Sequence, residues 1–282
     1  MTVDPTAKRF QNAAGEVVLH TDIAVSEAWT PIAGFAGVFD GNGKTLTVNY
    51  SGSDEQAGIF ATLDGTVKNL RVAGSFTTTA TAKVTLGAVA GKLGEKAQIV
   101  GCTNTAGIAM NVDASGTTVI GGIFGQGAAG NVIADNTNEG RITVRRKTPS
   151  DAAAVAGVGG WAYSDVTGCV NKGEIRYSDE VSAAKAVYVG GVLGRLDIGK
   201  GYVVEGCRNE APVTLATAQA ANNLLGGIAA YVNGENRDTP NTIRNCENRG
   251  DVLADAPVSD KAKTGQARMG GICGGTAGFP GH

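Results

Sequence analysis

The chain has 282 residues with a formal net charge of −2, 43 glycines, 42% hydrophobic residues and only 5% aromatic ones. Glycine at about twice its ~7% average, without a three-residue period, excludes collagen and suits a narrow, thin-layered core. The balanced charge argues against a phosphate-backbone partner, and no apolar run approaches the ~18–20 residues of a membrane span.

Residues 1–56 lead into the rest. Val17-Val18-Leu19 and Ile23-Ala24-Val25 read as short strands, and Asp40-Gly41-Asn42-Gly43 is a dense turn signal ahead of Leu46-Thr47-Val48. Phe10, Trp29, Phe35 and Phe39 concentrate here, as expected of a cap over the open end of a repeat array.

From Ala57 onward three apolar runs recur roughly every 35 residues, a period that marks a solenoid. The first run is Ala57-Gly58-Ile59-Phe60, then Gly87-Ala88-Val89-Ala90, Gly121-Gly122-Ile123-Phe124, Ala156-Gly157-Val158-Gly159, Gly190-Gly191-Val192-Leu193, Gly226-Gly227-Ile228-Ala229 and Gly270-Gly271-Ile272-Cys273. The second ends in Val67-Lys68-Asn69, Cys102-Thr103-Asn104, Asn136-Thr137-Asn138, Cys169-Val170-Asn171, Cys207-Arg208-Asn209 or Cys246-Glu247-Asn248. The third is Ile108-Ala109-Met110, Ile142-Thr143-Val144, Ile175-Arg176-Tyr177, Val213-Thr214-Leu215 or Val252-Leu253-Ala254. Runs this short, bounded by Gly and Asn, are strands rather than helices. Three strands per unit, stacked in register, predict an all-β right-handed parallel β-helix. Residues 1–56 would form its cap and lead-in strands, and residues 57–282 its coils, as one elongated domain.

Stacking then assigns the repeated residues. Ile59, Val89, Ile123, Val158, Val192, Ile228 and Ile272 should form one inward column. The paired glycines should permit tight corners, positive φ and close backbone approach. Cys102, Cys169, Cys207 and Cys246 should form a reduced, buried column with Asn136 in the third unit. Asn69, Asn104, Asn138, Asn171, Asn209 and Asn248 should form a hydrogen-bonded ladder. Arg145-Arg146-Lys147, beside Pro149 and Asp151, reads as a solvated loop.

The phrase Asp22-Ile23 … Trp29-Thr30-Pro31-Ile32 … Phe35-Ala36-Gly37-Val38-Phe39-Asp40-Gly41-Asn42-Gly43 resembles the opening of GLUG-motif β-helix proteins. Ala57-Gly58-Ile59-Phe60 … Gly65-Thr66-Val67-Lys68-Asn69-Leu70 is similar to the GLUG repeat itself, and the resemblance extends over about residues 15–275. It implies a secreted or outer-membrane-surface location, as in adhesin-like chains of Gram-negative gut bacteria and accessory parts of immunoglobulin-A-cleaving metallopeptidases. It carries over no activity, because the peptidase motif His-Glu-x-x-His is absent and the only histidines are His20 and His282.

The same scarcity of histidine argues against a zinc site or a Ser/His/Asp set, and Asp40-Gly41-Asn42-Gly43 lacks the twelfth-position Glu of a calcium loop. No metal, cofactor or catalytic residue is expected. A polysaccharide-active site would need two acids facing one groove; the candidates are the loop acids Asp113, Asp151, Asp165, Asp179, Glu180, Asp197, Glu235 and Asp238, of which Asp179-Glu180 and Asp165 could approach one another through stacked loops. Binding through stacked loops is the leading expectation, with a glycan or a protein as partner and a passive stalk or an enzyme as the alternatives. Trp161, Tyr163, Arg195, Tyr202, Tyr231, Asn233 and Arg237 are the candidate binding residues, flat aromatics beside polar groups. Met269 to Gly274 starts a further coil whose strand edges would be open to end-to-end contact.

Overall fold

The structure, a computed structural model, describes residues 12–147, 151–180, 185–197, 201–217, 220–233, 239–256 and 266–277. Among these residues there is no helix, and every strand pair is parallel. Successive units stack in chain order on four sheets of seven, seven, eight and thirteen strands, a solenoid-like architecture.

One coil illustrates the path. Val187–Gly190 lies on the first sheet, Leu193–Leu196 on the second, Val203–Glu205 on the third, and Arg208–Asn209 with Val213–Thr217 on the fourth. The first and second of the runs expected to be single strands are thus subdivided, while the third stays whole. The first is cut by the Gly-x corner. The second is cut by a residue in left-handed conformation: Asn69 (φ 52°), Gly101 (64°), Asp135 (57°), Gly168 (61°), Gly206 (62°) and Asn245 (53°) follow one another up the stack. Only Gly, Asn and Asp take that conformation cheaply, which accounts for the composition of this column.

Residues 16–56 already belong to the stack. Glu16–Val18 pairs with Val38–Asp40, which pairs with Thr66–Lys68, while Ile23–Ala28 pairs with Thr45–Gly52. Phe35, Phe39 and Phe60 close this end of the core with ring centroids 4.9–6.4 Å apart.

The inward Ile/Val column holds from Ile59 to Ile228, each 0–1% exposed. Ile272 departs from it at 38% exposure, because no described coil stacks on it. The register also moves one member of the asparagine column. Asn104 pairs with Val72, not with Asn69, whose left-handed backbone instead directs its amide to Asp40. From Asn104 onward each Nδ2 donates to the Oδ1 one coil further: Asn104 to Asn138, Asn138 to Asn171 and Asn171 to Asn209 at 2.8 Å, and Asn209 to Asn248 at 2.7 Å. Each Nδ2 also donates to the carbonyl two residues on, so these buried amides are held within and between coils.

The paired glycines do not take positive φ, contrary to the sequence reading; close approach alone requires them. A Cβ on Gly190 would stand 1.8 Å from the Leu193 carbonyl oxygen, and one on Gly191 would stand 2.0 Å from the Gly227 oxygen and 2.5 Å from Asn209 Cγ. Gly191→Ala should therefore cost about 1–3 kcal/mol by overpacking. Gly271 occupies the same motif position with nothing within 4 Å, so Gly271→Ala should leave the unfolding midpoint unchanged. Equal shifts for the two variants in urea unfolding would refute this account.

All five cysteines are free thiols, with Cys102, Cys169 and Cys207 buried. Burial pushes the Cys102 thiol up to about 12. The hydrogen bond with Cys169, followed by burial, does the same for Cys207, up to about 12. At pH 8 a thiol reagent should leave these three unmodified in the folded chain and label them all in denaturant. Rapid native labelling of Cys102 would show that this part of the column is not closed.

Candidate functional site

Five of the seven candidate binding residues, Trp161, Tyr163, Arg195, Tyr231 and Asn233, converge, and they do so on strands and at strand ends rather than on loops. Gln126, Trp161, Arg195 and Tyr231 are register partners on consecutive strands of the second sheet. Tyr163, Asp197 and Asn233 follow two residues after Trp161, Arg195 and Tyr231 and so share the next outward position. Sequence reasoning missed Tyr188, Asp197 and Asn241 as members of the cluster. The signal for Asp197 was present, since aligning the Gly-Gly motifs places Trp161, Arg195 and Tyr231 each one residue beyond the small residue that closes the first run.

The Arg195 guanidinium lies 4.3 Å from the Trp161 ring centroid, 5.4 Å from that of Tyr231 and 5.7 Å from that of Tyr188. Trp161 and Tyr163 stack at 6.0 Å with an interplanar angle of 9°, and Tyr188 and Tyr231 stack at 5.3 Å. Asp197 gathers the polar groups: Trp161 Nε1 donates to Oδ2 at 3.0 Å, while Arg195 Nη2 and Asn233 Nδ2 donate to Oδ1 at 3.1 and 2.9 Å. Asn241 Nδ2 donates to the carbonyls of Asp197 and Asn233 at 2.7 and 2.9 Å, and its Oδ1 accepts the Tyr202 amide. Tyr202 thus enters the arrangement through its backbone, and Arg237 lies outside the described residues. Burial first and the Asp197 charge second push the Tyr163 hydroxyl up to about 12, and burial raises Tyr188 as well.

This arrangement is a cation held among three rings and a carboxylate, with Arg195 over the Trp161 ring and Tyr163 stacked with Trp161. The cluster ties three coils together, and its rings, guanidinium and carboxylate contact one another within the chain.

Asp165 and Asp179-Glu180, the acids expected to approach one another, do not share a groove, and Glu235 and Asp238 lie outside the described residues. Asp179 lies inside the core at 1% exposure, whereas Asp165 faces outward and accepts the Val203 amide at 2.8 Å. Glu180 pairs with Arg145 on the surface. Arg146 belongs with Asp179 in the interior rather than in a solvated loop. The strand Ile142–Arg146 runs to its end, so alternation turns residues 142, 144 and 146 inward together.

What stays open lies further toward the N-terminus on the same outward corner. The register column that contains Trp161 continues through Gln126 to Lys92 and Thr62, and a cleft of about 530 Å³ opens there between Phe35, Gln56, Thr62, Asp64, Lys92 and Gly94. Among the described residues no set of three or more His, Cys, Asp or Glu side chains is placed to hold a metal ion.

No family model matches the chain, and neither a curated protein nor a solved structure matches it.

Proposed function

We propose that the chain is a non-catalytic, adhesin-like module of the cell surface or secreted space that binds a glycan or a protein along one side of a rigid rod. The coils wind right-handed, the sense that parallel crossovers overwhelmingly take. One observation carries the reading. The outward corner between the first and second sheets runs through consecutive coils in unbroken register and ends in an open, mixed polar and apolar cleft. Side chains held on stacked, fully paired strands are pre-ordered, which lowers the entropic cost of recognising an extended partner. The similarity to GLUG-motif chains supports the location, and the separation of Asp165 from Asp179 supports binding without turnover.

A glycan array combined with pull-down on purified surface and matrix proteins tests the reading; a specific ligand is expected, and silence in both formats overturns it. The closed Arg195 cluster favours a second reading, a spacer stalk, which predicts that silence. A polysaccharide-degrading activity would appear as release of reducing ends or unsaturated products, and none is expected.

A further inference from the structure

We infer that the open cleft at the N-terminal end of the outward corner receives a carboxylate-bearing sugar unit of a glycan, with Lys92 as the group that selects the carboxylate. The inference rests on the binding reading above and narrows it to one place and one ligand chemistry.

The cleft volume, about 530 Å³, falls in the range of small-ligand sites. Its floor is apolar and low: Phe35, Leu63 and Leu93 are buried beneath it, and Gly34, Gly37 and Gly94 keep the backbone bare. A Cβ at Gly94 would lie 2.0 Å from Asp64 Oδ1, so this glycine is what lets the Asp64 carboxylate lie across the floor. Lys92 is exposed, and among the described residues neither its ammonium nor the Asp64 carboxylate is engaged by another side chain. The Gln56 amide stands at the same cleft. One free cation, one free carboxylate and an amide above an apolar floor match a sugar acid. The ammonium takes the carboxylate, Asp64 and Gln56 take ring hydroxyls, and the C–H face of the ring covers the floor.

The wider corner carries further cations. Its two register columns, Gln56 to Arg268 on the first sheet and Thr62 to Gly275 on the second, contain Lys92, Arg195 and Arg268 and no acid. Asp197 already holds Arg195, so among the described residues the second-sheet column offers an anionic ligand Lys92 as its unengaged cation. An acidic peptide fits less well. Strand addition needs a free edge, and Phe60–Leu63 is bordered by Ala90–Leu93 on one side and by bridges at Ile32 and Phe35 on the other.

The test is calorimetric titration of the full chain with oligosaccharides ending in galacturonic, glucuronic or sialic acid, each beside its carboxyl-reduced form. At least one acid form should bind, and its reduced form should bind about tenfold more weakly or worse, the value of one charge-assisted contact. Lys92→Ala should reproduce that loss on the acid form and Lys92→Arg should retain most of the affinity. Trp161→Ala, on the closed cluster, should leave affinity unchanged. Binding of a reduced form as tight as its acid form overturns the inference, as does loss of affinity on Trp161→Ala but not on Lys92→Ala, or an acidic peptide that competes at Lys92 when no sugar does. A glycan or protein that binds with Lys92→Ala unaffected removes the cleft and leaves the binding reading standing; no ligand of any kind removes both.

Discussion

Arg146→Ala should destabilise the folded chain by about 3–5 kcal/mol, because it leaves a buried carboxylate without its counter-charge. Arg146 and Asp179 have fully buried side chains with a closest N···O distance of 3.5 Å. Tyr177 links them, accepting from Arg146 Nε at 2.7 Å and donating to Asp179 Oδ1 at 2.5 Å. Arg146 Nη1 also donates to the carbonyl of Asp151 at 3.1 Å, tying the start of the next coil to the core. Replacing both charges at once, as in Arg146→Met with Asp179→Leu, should be the milder change, since no charge then remains to be desolvated. A single variant within about 1 kcal/mol of wild type in urea unfolding would sink this account.

The same pair has a pH signature. Burial raises the Asp179 carboxyl above its ordinary 3.8, although Arg146 opposes the shift. Because the folded value is the higher one, its stabilising contribution is complete below about 3.8 and is lost as pH rises through the folded pKa. Other carboxylates, such as Asp151 and Glu205, are held below their ordinary values and act in the opposite sense, so the comparison has to be made against a variant. Relative to Asp179→Asn, wild type should gain stability as pH falls across that window. A difference independent of pH would show that Asp179 titrates alike in the folded and unfolded chain.

Asn171→Ala should cost about 3–5 kcal/mol, the sum of several buried orphans at about 1–3 kcal/mol each. The Asn138 Nδ2 loses an acceptor, the Asn209 Oδ1 loses a donor, and the Gly173 carbonyl and amide both lose the side chain that satisfied them. No water can replace these bonds without entering a closed column, since Asn138, Asn171 and Asn209 are all 0% exposed. Asn111, exposed on the outer face, supplies the control, and Asn111→Ala should stay within about 0.5 kcal/mol of wild type. Similar unfolding midpoints for the two variants would mean that the ladder is incidental to stability.

Particular residues show where sequence reasoning stopped. The Cys-x-Asn phrase announced both the thiol column and the amide ladder, because a repeat unit repeats the environment of each position. Asn69 was misplaced, since Val67-Lys68-Asn69 looks like the same phrase; only the pairing of Asn104 with Val72 shows that Asn69 occupies the left-handed turn instead. Arg146 was read as solvated because charge clusters usually are, and nothing local reveals that its strand persists one residue longer with its side chain inward. Trp161, Arg195 and Tyr231 were singled out as candidate binding residues, with packing over a coil edge weighed beside binding for Trp161, and the structure brings all three together. Aromatic and cationic residues on one face suggest a platform for a ligand, and here they serve as ligands for one another.

The sequence by itself determined the class of fold: short apolar runs, a period of roughly 35 residues and Gly/Asn turns leave parallel stacking as the way to bury every unit. It also determined which residues share columns from the second coil onward, because register follows from the period, while Asn69 shows where that reasoning slipped. Only the tertiary structure decided which polar groups are already satisfied. That depends on distances between coils, which composition does not encode, and it is why the site moves from the enclosed Arg195 to the unengaged Lys92.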